Sequence, residues 1–401
     1  MKKERHIHPA DLRALASLAT DATLGITDLV EAVHGTVLHG SGKAPRKRTG
    51  GLAGLVYEAV RGVTRMAGGG IDAMLARLVP LFGEHGSSPE REAVLAALNG
   101  VLGDYMEESG NVLAIRMALR KDAQTLLLEQ EHLRNAFPHA GGKLLVMVHG
   151  LCMNDLQWQR QGHDHGAALA RDLGCTPLYL HYNSGMHISR NGREFAALLQ
   201  TLVREWPYPL EEVSILCHSM GGLVARSACH YAAQERLSWL PLLRNLVFLG
   251  TPHHGAPLER VGNWVHILLE ATPYAAPFSR LGKIRSAGIT DLRHGNLLDE
   301  DWEGRDRFAR TDDMPQPVPL PEHVACYSMA AVLSRNGGEF SERVVGDGLV
   351  PLDSALGRHI DPARCLAFPA ERQWVGPGTG HLELLGSAEA YAQMRRWLLP
   401  E

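Results

Sequence analysis

Residues 216–224 read LCHSMGGLV, and this segment determines the fold that the sequence predicts. An apolar run that includes Val213 and Ile215 precedes Ser219, and a stretch compatible with a helix runs from residue 223 to residue 233. The pattern is typical of a nucleophile elbow, in which a serine on a sharp strand-to-helix turn projects its Oγ clear of the sheet. The helix that begins there favours negative charge on a bound oxygen. We therefore predict that Ser219 is a nucleophile.

Small residues are needed two positions before and two positions after the serine of so tight a turn. Gly221 meets this requirement, whereas Cys217 stands where such elbows usually have glycine. An ordinary strand–turn–helix with a chance serine is the alternative interpretation. The strand before, the helix after and the double glycine all favour the elbow.

The rest of an acyl-transfer site also has candidates. The apolar run at 143–148 predicts a buried strand that ends at His149, and Gly150 permits a sharp turn there. The backbone N–H groups of Leu151 and Met220 would then form an oxyanion hole.

The acid and the general base follow the elbow serine along the chain in this kind of fold. The loop VGDGLVP contains Asp347, and the loop GPGTGHLE contains His381, which is the candidate base. Two other acids lie between the serine and the histidine. Asp353 could cap the next segment, and Asp361 is expected near the start of the last strand, at the wrong end of the sheet. We therefore predict Asp347 as the acid.

Five segments, taken together, resemble the α/β-hydrolase superfamily of serine esterases and lipases. They are VHGL at 148–151, HSMGG at 218–222, LGTPHHG at 249–255, GDG at 346–348 and GH at 380–381. The pattern is similar to that of bacterial triacylglycerol lipases and of the hydrolase domain of GPI inositol-deacylases. The resemblance implies an α/β fold, with a mostly parallel sheet and helices on both faces. It also implies acyl-transfer chemistry, but it does not identify the substrate.

The chain divides, on sequence, into two parts. Residues 1–107 have apolar positions at helical spacing and predict an N-terminal helical module without a part in the chemistry. Residues 108–401 form the expected hydrolase domain. Alternation within 112–128 predicts an antiparallel hairpin at the edge of its sheet. Residues 256–322 interrupt the later alternation of strands and helices, which predicts a cap or lid over the serine.

Strands and helices alternate from about residue 144 onward, as expected for a parallel sheet. The expected strands are 144–149, 177–181, 212–217, 244–250, 323–330 and 364–369, and the expected helices are 163–173, 191–205, 221–235 and 388–398. This order places all the candidate residues in loops at the carboxyl ends of strands, where open α/β sheets have their sites.

Composition narrows the class of protein. The chain has 401 residues, of which 45% are hydrophobic and 21% charged, as is usual for a globular protein. The net charge of −4 does not favour nucleic-acid binding. The six cysteines lack metal-type spacing, and neither a signal peptide nor an 18-residue apolar run is evident. We therefore predict a cytoplasmic protein with reduced cysteines and with neither a metal nor an organic cofactor.

Five residues next to the candidate site could line the substrate pocket: His149, Gly150, His218, His253 and His254. For the last two, fixing their loop through hydrogen bonds is an equally good interpretation.

A membrane contact is left open by two features of the N-terminal part. The basic cluster at 43–48 and the apolar run at 78–82 would suit peripheral binding to the inner face of a membrane. A solvated linker and helix–helix packing are the simpler interpretations of these two segments.

The function that the sequence predicts is hydrolysis of carboxylic esters, with a lipid-like acyl chain on the substrate. An acyltransferase or a thioesterase would use the same Ser219, His381 and Asp347, so both alternatives stay open. A third alternative is a non-catalytic adapter that binds a membrane or a partner and keeps a vestigial triad. The oligomeric state is left open.

Overall fold

The computed structural model of the chain describes residues 89–256, 286–304, 314–334 and 346–399. Two compact units are distinguished, and the second consists of Glu92–Glu107 together with Ala114–Glu401. The helices predicted before residue 89 and the basic and apolar segments at 43–48 and 78–82 lie outside the described residues.

Eight strands form the sheet of the second unit. They are β1 (Ala118–Lys121), β2 (Gln124–Thr125), β3 (Lys143–Val148), β4 (Thr176–His181), β5 (Glu212–His218), β6 (Leu243–Leu249), β7 (Ala325–Val332) and β8 (Gln373–Pro377). Their order in the sheet is β2-β1-β4-β3-β5-β6-β7-β8. Strands β3 to β8 pair in parallel, whereas β1 pairs antiparallel with both β2 and β4. The predicted parallel sheet and the antiparallel hairpin at its edge are confirmed.

Eight α-helices occur among the described residues. They are α1 (Pro89–Glu108), α2 (Gln130–Ala136), α3 (His165–Leu173), α4 (Ile188–Glu205), α5 (Met220–Glu235), α6 (Ala287–His294), α7 (Leu352–Ala355) and α8 (Ala388–Leu398). Helices α4 and α5 pack against each other, and so do α3 and α8. The central strands are apolar almost throughout because helices cover both faces of the sheet. This is the α/β-hydrolase architecture that the sequence predicted.

The expected strand at 364–369 is wrong, because the last strand begins at Gln373. Residues 362–364 instead form a 3-10 helix, and the next residues are irregular. The apolar side chains there serve packing rather than a strand, since the ring of Phe368 lies 5.9 Å from that of Phe248. Strand β8 contains a glycine and a proline, which its place at the edge of the sheet tolerates.

Only part of the predicted lid at 256–322 can be compared with the structure. Residues 257–285 and 305–313 lie outside the described residues, so the lid stays a prediction. Helix α6 belongs to the described part and contacts α4. There Asp291 Oδ2 accepts hydrogen bonds from Ile188 N at 2.9 Å and contacts His187 Nδ1 at 2.9 Å.

Helix α1 packs closely against the loops that follow β3 and β4. A Cβ at Gly100 would collide with Cys152 Sγ, and Asn183 Nδ2 donates to Gly103 O at 2.9 Å. Residues 92–107 therefore belong to the same compact unit as the sheet. The proposed domain boundary at residue 107 remains a prediction.

None of the helices in the described part of the chain is both long and apolar enough to span a membrane. All six cysteines are free thiols, and four of them are buried.

Candidate active site

Ser219 lies between β5 and α5 in a backbone conformation that side chains rarely adopt, with φ of 56° and ψ of −126°. Such a conformation persists only where the surroundings impose it. Ser219 N donates to Leu249 O of β6 at 2.8 Å, and Gly222 N donates back to Ser219 O at 3.0 Å. The neighbouring strand and the helix thus hold the turn together.

The backbone of the neighbouring strand β3 lies close to the elbow, and this explains which of its residues must be small. A Cβ at Gly221 would collide with the carbonyl oxygens of Val148 and His149. Cys217 is fully buried within β5, paired with Val148 and Phe248 on the two adjacent strands. The fold therefore accommodates cysteine at position 217, while position 221 has no space for a side chain.

Replacing Gly221 by Ala is expected to destabilise the protein by about 2 to 3 kcal/mol, because backbone atoms rather than flexible side chains block the new methyl group. Thermal or urea unfolding of the variant measures this loss. Gly141→Ala is the matched control, since a Cβ there would meet no atom within 4 Å. Equal stability of the two variants would contradict the packing of the elbow.

Asp347 and His381 form a buried pair. Asp347 Oδ2 lies 2.7 Å from His381 Nδ1, and His381 N donates to Asp347 O at 3.2 Å. The other carboxylate oxygen, Oδ1, accepts from Leu349 N at 3.0 Å and from Val350 N at 2.8 Å. These two backbone donors fix the carboxylate and leave Oδ2 directed at the imidazole.

The imidazole of His381 lies beside the elbow. A Cβ at Gly250, the residue after β6, would lie 3.1 Å from both Cε1 and Nδ1 of His381. The ring of His218 lies 4.7 Å from that of His381, and its Nε2 lies 3.2 Å from His381 O. Ser219 Oγ is buried and has no hydrogen-bond partner among the described residues. Ser219 Oγ therefore makes no hydrogen bond to the imidazole of His381 in this structure.

The loop after β3 also reaches the elbow. A Cβ at Gly150 would lie 3.0 Å from Ser219 Cβ, so the backbone just before Leu151 runs close to the serine. Met220 is the first residue of α5, and the first amides of a helix have no acceptor within it. The two proposed oxyanion donors, Leu151 N and Met220 N, thus belong to segments that flank Ser219.

Ser184 has a structural role that the sequence analysis did not predict. Its Oγ accepts a hydrogen bond from Cys152 N at 3.0 Å and so fixes the loop that contains Leu151. Its position in the sequence, just after β4, could have indicated this role. Strands β3 and β4 are parallel neighbours, so the loops that follow them lie side by side.

His149 is buried beneath the same loop. Its Nδ1 lies 2.9 Å from Gly150 O, and its ring stacks on Tyr182 with 4.3 Å between centroids. Burial lowers the pKa of His149 to about 3, so its imidazole is neutral at pH 7.

His253 and His254 lie elsewhere. Both line a cavity beside Arg226, and neither Ser219 nor His381 belongs to its wall. Burial lowers the pKa of His254 to about 4, and it lowers the pKa of His253 well below its usual value. The described residues do not bring these two histidines to the serine.

The other candidate acids make local contacts. Asp353 Oδ1 lies 3.8 Å from Arg358 Nη1, and its side chain is 41% exposed. Asp361 caps a 3-10 helix, accepting from Ala363 N at 3.0 Å. Exposed acids of this kind do not orient a buried imidazole.

Three potential metal ligands, Glu92, Asp155 and His181, come together in the described part of the chain. Arg120 already lies between two of them, with Nη1 at 2.8 Å from Glu92 Oε2 and 3.1 Å from Asp155 Oδ1. The guanidinium thus supplies the positive charge that a cation would bring to this cluster.

Comparisons with known proteins give a family model and several solved structures. Residues 116–291 match a domain of unknown function, DUF7379. No curated protein shows significant sequence similarity to the chain. The mature lipase BlEst2 of Bacillus licheniformis is 15% identical, with 71% of this chain and 98% of that chain covered and a TM-score of 0.42.

Two esterases are similar at the same level. Pf2001 of Pyrococcus furiosus is 13% identical, covering 64% of this chain and 81% of its own, with a TM-score of 0.36. The Pyrobaculum calidifontis esterase is 15% identical, covering 65% and 77% respectively, with a TM-score of 0.38. Similarities this distant do not establish the activity of the chain, and the resemblance to GPI inositol-deacylases receives no support from them.

Proposed function

We propose that this protein is a serine hydrolase of carboxylic esters, with Ser219 as nucleophile, His381 as general base and Asp347 as the acid that orients it. One observation carries the proposal: the buried 2.7 Å contact between Asp347 Oδ2 and His381 Nδ1, beside a serine on a strained elbow. A carboxylate, an imidazole and a serine hydroxyl that no other group of the described residues holds by a hydrogen bond are the groups that acyl transfer needs.

In the first half of the reaction, Ser219 Oγ attacks the acyl carbon and its proton passes to His381 Nε2. Asp347 holds the proton on Nδ1 and stabilises the charged ring. The N–H groups of Leu151 and Met220 bind the negative oxygen of the tetrahedral intermediate, each contributing about 3 kcal/mol. His381 then gives its proton to the leaving alcohol.

In the second half, water replaces the alcohol. His381 removes a proton from the water, which attacks the acyl-enzyme, and the second tetrahedral intermediate collapses with release of the carboxylic acid. Ser219 regains its proton from the imidazole.

A lipid-like acyl chain is the substrate that we favour. The segments on either side of Ser219 are rich in apolar residues, among them the buried Leu151, Met153 and Met220. An acyltransferase or a thioesterase would use the same residues, and these two activities differ from ester hydrolysis only in the acceptor or the leaving group.

Hydrolysis of p-nitrophenyl esters of graded chain length tests the proposal. We expect turnover in water that increases from acetyl to longer acyl groups, because added methylenes gain about 0.8 kcal/mol each on burial. Parallel assays with an acyl thioester and with added alcohol distinguish the two alternatives. If the folded protein hydrolyses no ester, the proposed function is wrong, and the result favours the alternative of a non-catalytic adapter.

A further inference from the structure

Arg226 is a buried charge without an acidic partner among the described residues. It lies on α5, seven residues after Ser219, and only 3% of it is exposed. Its Nη1 donates to His253 O at 3.3 Å, and its Nη2 donates to Val318 O. Carbonyl oxygens satisfy these hydrogen-bond donors but do not neutralise the charge, and a buried charge without a counter-ion is costly. Burial lowers the pKa of Arg226 only to about 10, so it stays charged at pH 7.

A cavity of about 110 Å³ adjoins this guanidinium. Among the described residues, its wall contains two arginines, three histidines and no acidic residue: Arg226, Arg364, His253, His254 and His294. A water molecule takes up roughly 30 Å³ of liquid volume, so the space suits a group of a few heavy atoms. The positive charge at pH 7 comes from the two arginines, because burial lowers the pKa of each of the three histidines below its usual value. The size of the cavity and the sign of that charge both fit a small anion.

Three nitrogen atoms of these lining residues are buried without a hydrogen-bond partner among the described residues. They are Nε of Arg226 and Nε2 of His253 and of His254. More than nine in ten buried polar groups of folded proteins are paired, so three orphans at one cavity call for an explanation. His253 Nδ1 lies 3.5 Å from Arg226 Nη1, a donor, which places the acceptor lone pair on Nδ1 and the N–H on Nε2.

We propose that this cavity is a binding site for a small oxyanion, a phosphate or a carboxylate group, held by Arg226 and by the Nε2 proton of His253. Arg364 contributes less, because its Nε lies 3.6 Å from Asp361 Oδ2 and its Nη1 donates to Pro315 O at 2.6 Å. A guanidinium and an imidazole N–H are both donors that oxyanions accept from readily.

The site is separate from the elbow. Seven residues of helix place Arg226 about 10 Å along α5 from Ser219, and the cavity wall includes no residue of the proposed triad. Binding there does not depend on the proposed ester hydrolysis.

Thermal unfolding and calorimetric titration with sodium phosphate and with sodium acetate, against sodium chloride at equal ionic strength, test the proposal. At saturation we expect phosphate or acetate to raise Tm by roughly 5 °C, because a ligand bound only to the folded state stabilises it. A shift with phosphate, with acetate or with both supports the site, and the comparison identifies the group preferred.

Single substitutions test whether the anion binds in this cavity. Arg226→Gln is expected to abolish the shift, and His253→Gln to weaken binding by about tenfold or more. Arg244→Gln is the control, because Arg244 is an exposed arginine of β6 outside the cavity. If Arg226→Gln does not fold, the decision rests on His253→Gln and the control.

Two results would overturn the proposal. One is the absence of any saturable shift in the unchanged protein. The other is equal binding by His253→Gln, Arg226→Gln and the Arg244→Gln control.

Discussion

Replacing Ser219 by Ala is expected to lower the turnover of a p-nitrophenyl ester by about 10⁶-fold and to abolish covalent labelling by a fluorophosphonate probe. The proposed mechanism has no other nucleophile, so His381 and Asp347 cannot substitute for the missing hydroxyl. Folding should be nearly unaffected, because Ser219 Oγ makes no hydrogen bond to the described residues. Loss of labelling in a folded variant therefore reports chemistry rather than stability.

Ser227→Ala is the matched control. Ser227 lies on the same helix α5, is equally buried, and donates from Oγ to Leu297 O at 2.7 Å. Its loss should cost about 1 kcal/mol of stability and leave labelling intact. Labelling that persists in Ser219→Ala and maps to another serine would refute the assignment of the nucleophile.

The Asp347→Asn variant is expected to keep the fold but to lower turnover by about 10⁴-fold. Asp347 Oδ1 is fixed by the N–H groups of Leu349 and Val350, and the asparagine oxygen would take its place. The new NH₂ group would then face His381 Nδ1 and donate to it. The imidazole proton would be forced onto Nε2, which could no longer accept a proton from Ser219.

Asp353→Asn is the matched control for this experiment. Asp353 also lies between the serine and the histidine along the chain, but its side chain is 41% exposed and its ion-pair contact is Arg358. We expect near-normal turnover of this variant under the same conditions. A large loss at position 353 together with near-normal activity at position 347 would overturn the choice of the acid.

Elements with a strong local pattern were predicted within a few residues. The strand expected at 212–217 is β5 (Glu212–His218), and the helix expected at 388–398 is α8 (Ala388–Leu398). Central strands buried on both faces need continuous apolar runs, and surface helices need apolar positions at helical spacing, so both are visible in sequence. The position of the last strand, β8, was predicted wrongly because an edge strand needs no continuous apolar run.

Part of the candidate site was also visible in sequence. A serine between small residues, with a strand before it and a helix after it, is a local pattern, and so is an aspartate with glycine on both sides. The pairing of Asp347 with His381 is not local, since 34 residues separate them along the chain. The order of β6, β7 and β8 in the sheet brings their loops together.

The sequence by itself determined the alternation of strands and helices, the elbow at Ser219 and the residue types available for chemistry, because each depends on neighbours a few positions away. Only the tertiary structure decided that Asp347 rather than Asp353 faces His381, that Ser184 fixes the loop of Leu151, and that His253 lies beside Arg226. The physical reason is that a hydrogen bond or a buried charge is defined by distances of a few ångströms between side chains. Residues far apart along the chain acquire such distances only when the sheet and its helices have packed.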